Sequence, residues 1–297
     1  METRPIPKQI VPIFSGGGTR LPAHIGIIKA LEEMDIHFSS LVGVSGGSII
    51  ASLYAKGMNV DALQKLALDT DFRQFTEFSL WRLLREGGLS SGDSFEQWMD
   101  DLLEGVTFEK LPAALSVLAT DVNGGGPVLF SREHTPTLKV SRAVRYSMSI
   151  PLVFSFKEFN DQLLVDGAIL SEDALFEDWQ HDGTPSVCFR LKSNPRKQPL
   201  IKKRGFLLPQ YVSMLIRTFM TALSREYVHA QYWHNTLVVN TGEISAVDFG
   251  MSAATKERLL QIGYDTTRLY LPEKLRNVMQ LKRPVDDRES PAMSSHA

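Results

Sequence analysis

The sequence is poor in cysteine, with one residue, Cys188, among 297. A lone thiol cannot staple a fold, which excludes a disulfide scaffold and favours a reducing compartment. Cys188 sits in the apolar stretch Val187-Cys188-Phe189 and reads as a packing residue rather than a nucleophile. Long apolar runs are lacking too. The longest such region, Phe206 to Leu223, is interrupted by Pro209, Gln210 and Arg217, so it reads as a core helix and not a membrane span. Neither sign of charge dominates. A net charge of -2 argues against a general nucleic-acid binder. No His/Cys/Asp cluster has the spacing of metal ligands. The N-terminus runs through charged and Pro-rich residues straight into an apolar strand, without the pattern of a signal peptide. The expected location is cytoplasmic, peripheral to the inner membrane face during action.

What is present is ordinary globular composition, 43% hydrophobic and 22% charged, enough for a large core. No repeat or interior linker stands out. A single domain over residues 1–285 is expected, with 286–297 a disordered polar tail. Short apolar segments alternate with amphipathic ones. Ile10–Phe14 reads as a strand, Ala23–Met34 as a helix, Leu41–Val44 as a strand and Gly46–Lys56 as a helix. Further helices are expected over Asp61–Asp69, Ser94–Leu103, Leu138–Met148 and Ala253–Leu269. Strands are expected at Leu115–Thr120, Val128–Phe130, Pro185–Leu191 and Leu237–Asn240, with a hairpin of Phe154–Phe159 and Gln162–Val165. Phe206–His234 reads as a helix. This alternation predicts an α/β fold with a largely parallel sheet.

Two glycine-rich turns follow the first two strands. Gly43-Val44-Ser45-Gly46-Gly47 fits G-x-S-x-G, a pattern expected about 0.1 times by chance in a chain this long. Its place between an apolar strand and a helix is that of a nucleophile elbow, where the helix N-terminus directs partial positive charge at the serine. The alternative is a solvated serine in a glycine-rich turn. Gly16-Gly17-Gly18-Thr19-Arg20 occupies the equivalent place after the first strand. Its glycines suit a phosphate cradle or an oxyanion hole. Adjacent parallel strands end on one sheet edge, which favours the oxyanion role opposite Ser45. The loop matches neither a dinucleotide fingerprint nor a Walker A motif.

An acyl-transfer serine needs a proton acceptor. Asp166 ends an apolar strand and precedes Gly167. Partial burial there would raise its pKa toward a useful range. Asp121, at another strand end, is expected to be structural. A Ser-Asp-His triad with His229 or His234 is the rival arrangement. It would make the protein a soluble small-ester hydrolase, but Ser45 follows only the second strand, and both histidines lie in a stretch that reads as packed helix. A third reading is a non-catalytic nucleotide or phosphate binder.

Together these residues resemble the patatin-like phospholipase family. The likeness spans roughly residues 10 to 170 and returns near Val247 to Leu271. Its pieces are Gly16-Gly17-Gly18-Thr19-Arg20, Ala23-His24-Ile25-Gly26, Gly43-Val44-Ser45-Gly46-Gly47, Leu118-Ala119-Thr120-Asp121, Ser147-Met148-Ser149-Ile150-Pro151 and Asp166-Gly167-Ala168. The resemblance implies a three-layer α/β/α sandwich with a central, mostly parallel sheet. It also implies a phospholipase A type of lipid acyl hydrolase acting through a Ser45–Asp166 dyad and an acyl-enzyme. Amides of Gly16, Gly17, Gly18 and Gly46 would hold the oxyanion, with Arg20, Gly43, Gly47 and Gly167 in support. No metal or cofactor is implied. Three departures stand out: Leu21-Pro22 where the family commonly has glycine, Gly46 where alanine is common, and Leu170–Phe176 in place of an Asn-x-Pro continuation.

Phe72, Phe75, Phe78, Leu80, Trp81, Leu83 and Leu84 are candidates for an apolar groove opening on a phospholipid surface, or for a helix packed on the core. The basic run Lys192, Arg196, Lys197, Lys202, Lys203, Arg204 is either a solvated loop or a site for anionic headgroups or a nucleotide. The chain also resembles the small cyclic-nucleotide-activated phospholipase effectors of bacterial antiviral defence, which would imply a cyclic-dinucleotide activator. An oligomer is compatible with all these readings.

Overall fold

The computed structural model describes residues 6–76, 79–169, 175, 179–194, 211, 212, 214–216, 218 and 230–281. The tail expected at 286–297 and most of Phe206–His234 lie outside that set. In chain order the strands are β1 (Val11–Ser15), β2 (Ser40–Val44), β3 (Gly88–Ser90), β4 (Ala114–Asp121), β5 (Gly126–Ser131), β6 (Leu152–Phe154), β7 (Lys157–Phe159), β8 (Gln162–Val165), β9 (Ser186–Lys192) and β10 (Thr236–Asn240). The helices are α1 (Pro22–Glu33), α2 (Gly46–Ala55), α3 (Val60–Asp69), α4 (Leu80–Glu86), α5 (Asp93–Leu103), α6 (Val140–Ser147) and α7 (Ala253–Leu281).

The central sheet has the order β10-β9-β1-β2-β4-β8-β7, with β5 also paired to β4. From β10 to β4 all neighbours are parallel, and β5, β8 and β7 add antiparallel pairs. This is the mixed α/β architecture with a mostly parallel sheet that the alternation predicts. The parallel strands are apolar on both faces, as strands covered on both sides must be. Phe14, Leu41, Leu115, Val117, Val187 and Phe189 face the main core with α1 and α2. Val11, Ile13, Val42, Val44, Leu118 and Cys188 face the other side, where Leu175 and Trp179 pack.

Helix α1 is buried almost all round because α7 covers its outer side. A side chain at Gly26 would strike the Leu260 carbonyl, and one at Gly263 the Ala23 carbonyl. The two helix backbones therefore touch. Helix α7 runs past the expected end at Leu269, and through Pro272, to Leu281. Leu271, Leu275 and Val278 are buried and carry its apolar stripe beyond the proline. The expected strand Phe154–Phe159 is two strands. Phe154 belongs to β6, which pairs in parallel with β3 in a separate two-stranded sheet, whereas β7 and β8 form the hairpin around Asn160-Asp161.

One feature of the topology positions the site. β2 pairs with β4 through Val44 opposite Leu118. β5 takes the other edge of β4 as far as Asp121. β8 therefore lies on the β2 side, just beyond the end of β2, with Leu164 opposite Asp121 and Val165 opposite Thr120. It is antiparallel to β4, so β2 and β8 run head-on, and the residues that follow them, Ser45 and Asp166, meet beside Ala119.

Candidate active site

Ser45 leaves β2 with φ 53° and ψ -132°, a strained conformation for a residue with a side chain, costing about 1–3 kcal/mol. Close packing around it explains the flanking glycines. A Cβ on Gly43 would lie 2.6 Å from the Ser48 Cα, one on Gly46 2.7 Å from the Gly18 amide nitrogen, and one on Gly47 would strike the Phe14 carbonyl. Gly167 is equally confined, against the Leu118 carbonyl. The Ser45 amide donates to Ser147 Oγ at 2.8 Å, and Ser48 Oγ donates to the Ser45 carbonyl at 2.6 Å. The turn is held from both sides.

The Ser45 hydroxyl donates to Asp166 Oδ2 at 2.6 Å. Asp166 Oδ1 accepts the Ala168 amide at 2.9 Å. The Asp166 and Gly167 amides donate to the carbonyls of Ser149 and Ser147 at 3.0 and 3.2 Å, which fixes the aspartate to the segment ending α6. Ser45 is 1% exposed and Asp166 0%, deeper than the partial burial expected. Burial pushes the Asp166 carboxyl up to about 6, with the Ser45 hydroxyl and Ala168 amide opposing the shift. A carboxylate in that range accepts a proton far more readily than an exposed one while staying ionised at neutral pH.

The glycine loop lies against the same edge. Gly16, Gly17 and Gly18 all have positive φ, at 69°, 108° and 52°. The Gly16 amide donates to the Val44 carbonyl at 3.1 Å, so it is consumed by the sheet and corrects the expectation that Gly16 supplies an oxyanion donor. The amides of Gly17, Gly18 and Gly46 have no acceptor among the described residues. Gly46 opens α2 and backs directly on Gly18. Arg20 is fully buried, with Nε donating to the Gly17 carbonyl at 3.1 Å and Nη1 to Thr241 Oγ1 at 2.9 Å. Desolvation lowers its guanidinium to about 10, still cationic. Leu21 takes an ordinary helical conformation, φ -50° and ψ -26°, and Pro22 is the first residue of α1. The family's glycine is not needed there, and the departure leaves the three-glycine turn intact. A residue the motif reading left without a role is His24, whose Nε2 lies 3.1 Å from the Gly16 carbonyl oxygen.

Asp121 accepts the Asn123 amide at 2.9 Å and Gln162 Nε2 at 3.3 Å, a structural cap on the β4–β5 turn. His234 precedes β10. Because the strands from β10 to β2 are parallel, it sits at the sheet edge opposite Ser45, three strands across, about 14 Å at normal strand spacing. This corrects its candidacy for a triad; His229 lies outside the described residues. Phe72 and Phe75 pack in the main core against Phe95 and Trp98, and Phe72 and Trp98 also line an apolar cavity with Leu21, Ile49, Leu53 and Leu63. Trp81 and Leu84 on α4 point outward, 65% and 85% exposed. Phe78 and the Leu80 side chain are outside the described set. Of the basic run, only Lys192 is described, exposed at the end of β9; Arg196, Lys197, Lys202, Lys203 and Arg204 are not. Among the described residues no group of acidic, His or Cys side chains could hold a metal ion, and no helix is long and apolar enough to cross a membrane.

Comparison with known proteins supplies relatives of the chain and of its fold. An uncharacterized protein of Bacillus subtilis, YqhO, is 25% identical over 289 residues, covering 88% of this chain and 97% of its own length. An uncharacterized protein of Acanthamoeba polyphaga mimivirus, R571, is 27% identical over 275 residues, covering 86% of this chain and 91% of its own. The crystal structure of VipD from Legionella pneumophila superposes with a TM-score of 0.61 at 16% identity, over 92% of this chain and 67% of that one; at that identity the likeness speaks for the fold alone. The family model for patatin-like phospholipases matches residues 13–176, a span that contains the glycine loop, Ser45 and Asp166. The chain belongs to the patatin-like phospholipase family.

Proposed function

We propose that this protein is a lipid acyl hydrolase in which Ser45 is the nucleophile and Asp166 the only base. The observation that carries the reading is the 2.6 Å hydrogen bond from the Ser45 hydroxyl to a fully buried carboxylate. Asp166 takes the hydroxyl proton as Oγ attacks the ester carbonyl. The negative charge that develops on the carbonyl oxygen sits among the free amides of Gly17, Gly18 and Gly46, helped by the N-terminal dipole of α2. When the tetrahedral intermediate collapses, the bond to the leaving alcohol breaks and Asp166 returns its proton to that oxygen. Water then attacks the acyl-enzyme and gives a proton to Asp166. Oγ leaves and regains the proton, and the fatty acid departs.

A phospholipid at a membrane surface is the proposed substrate. Trp81 and Leu84 offer an exposed apolar edge, and the Arg85 guanidinium stacks 5.0 Å from the Trp81 ring centre. An aromatic, a leucine and a cation on one short helix suit the boundary between headgroups and acyl chains. The test is fatty-acid release from mixed phospholipid vesicles. Wild type should release fatty acid, and Ser45→Ala and Asp166→Asn should each lower the rate by a factor of about 10³ or more. Release that survives Ser45→Ala refutes the assignment.

A further inference from the structure

Three consecutive glycines create a problem for an oxyanion hole. Glycine has no Cβ to restrict its backbone, so little within Gly16-Gly17-Gly18 decides which way each peptide plane faces. A flip of the Gly16–Gly17 peptide would present a carbonyl oxygen where an N–H is required, replacing attraction by repulsion. Something outside the loop must hold the plane.

His24 is placed to do so. It lies in the first turn of α1, fully buried, with its ring edge-on to Phe14 at 5.4 Å between centres. Nε2 is 3.1 Å from the Gly16 carbonyl oxygen, and Nδ1 has no hydrogen-bond partner among the described residues. A carbonyl only accepts, so Nε2 carries the hydrogen and donates it. Nδ1 keeps a bare lone pair in an apolar setting. Burial, the larger effect, and the neighbouring Arg20 cation hold the imidazolium form down to about 4, so the ring is neutral at physiological pH. It makes no hydrogen bond to Ser45 or Asp166, so it is not their general base.

The Gly16 C=O and the Gly17 N–H belong to one peptide unit. No cis peptide bond occurs among the described residues, and in a trans unit these two groups point in opposite directions. Drawing the carbonyl back toward α1 turns the Gly17 N–H away from α1. Arg20 treats the next unit the same way: its Nε and its amide both donate to the Gly17 carbonyl, at 3.1 and 3.0 Å, which turns the Gly18 N–H outward as well.

We propose that His24 is a positioning residue whose Nε2–H locks the Gly16–Gly17 peptide so that the Gly17 amide, not the Gly16 carbonyl, faces the developing oxyanion. This rests on the hydrolase reading above. Its test is steady-state kinetics on a dispersed ester with His24→Phe and His24→Gln, alongside thermal unfolding. Phenylalanine keeps the ring and its packing on Phe14 but has no donor. Glutamine places an amide N–H near the position of Nε2. The expected result for His24→Phe is a fall in kcat of roughly 10²–10³-fold. KM should stay within about twofold and the acid limb of the pH profile should not move. His24→Gln should recover most of the loss, and both variants should unfold near the wild-type temperature. Three outcomes overturn the inference while leaving the dyad standing. In the first, His24→Phe keeps kcat within about threefold. In the second, kcat and Tm fall together and glutamine restores neither. In the third, the acid limb shifts, which would make His24 the titrating base. A wild type whose activity does not depend on Ser45 overturns the parent reading, and this one with it.

Discussion

Asp166, the proposed base, carries a cost in stability. Its carboxyl titrates near 6 in the fold against an ordinary 3.8, so the folded state holds the proton more tightly than the unfolded chain. Stability from this group is fully present below about pH 4 and is lost as pH rises through about 6. The loss at pH 8 is on the order of 3 kcal/mol. Asp166→Asn cannot ionise, and its amide can still meet Ser45 and Ala168. Denaturant unfolding should therefore show the asparagine variant gaining on wild type between pH 4.5 and pH 8, the same variant that the proposed dyad predicts to lose activity. Wild-type activity should fall as pH drops through about 6, where Asp166 takes up a proton and stops acting as a base. A stability difference that does not change with pH would contradict this. Ser45, Asp166 and the three glycines were legible in the sequence because a strained turn and a strand-end carboxylate demand particular residues at particular spacings. That the Gly16 amide is consumed by Val44 was not legible, since it depends on how β1 and β2 pair. The place of His24 was hidden likewise: its partner carbonyl is brought to it by the fold of the loop, and no motif spacing encodes a ring orientation.

Among the elements, α4 shows how a local pattern can be half read. The Phe- and Leu-rich stretch from Phe72 to Leu84 has two fates. Its first part joins the aromatic cluster of the main core, where Phe75 lies 5.7 Å from Phe95 between ring centres. Its second part becomes α4, with Leu83 turned inward against a small separate cluster that includes Ile150, Val153 and Ala246. That cluster reaches both halves of the site. Ile150 follows Ser149, which holds the Asp166 amide, and Ala246 accepts the Thr19 amide at 2.9 Å beside Gly18. Trp81 and Leu84 lie on its outward side. Replacing both with serine should cut fatty-acid release from vesicles by tenfold or more. Hydrolysis of a dispersed short-chain ester should stay within about twofold of wild type. Equal losses on both substrates would mean the helix supports the fold and not the surface. Neither β3 nor β6 was legible, because each is three residues long and exists only through pairing with the other. Helix α7 outruns its expected end at Leu269 because burial of Leu271 and Leu275 outweighs the one hydrogen bond that Pro272 removes.

For the molecule as a whole, the decisive fact is that Ser45 and Asp166, 121 residues apart, are joined by one strand. β4 pairs with β2 along its first half and with β8 at its end, so the two strand ends converge without a loop spanning between them. The alternation of strands and helices announced the parallel part of this sheet. The head-on meeting of β2 and β8 was not announced, because antiparallel addition beyond a parallel neighbour leaves no periodic signature. The most direct measurement is covalent labelling of the full chain by a fluorophosphonate, with the modified peptide located by mass spectrometry. A Ser45–Asp166 dyad should give a single adduct on Ser45, formed at least about a hundredfold more slowly in Asp166→Asn. An adduct elsewhere, or an Asp166→Asn variant that labels as fast as wild type, would contradict the dyad.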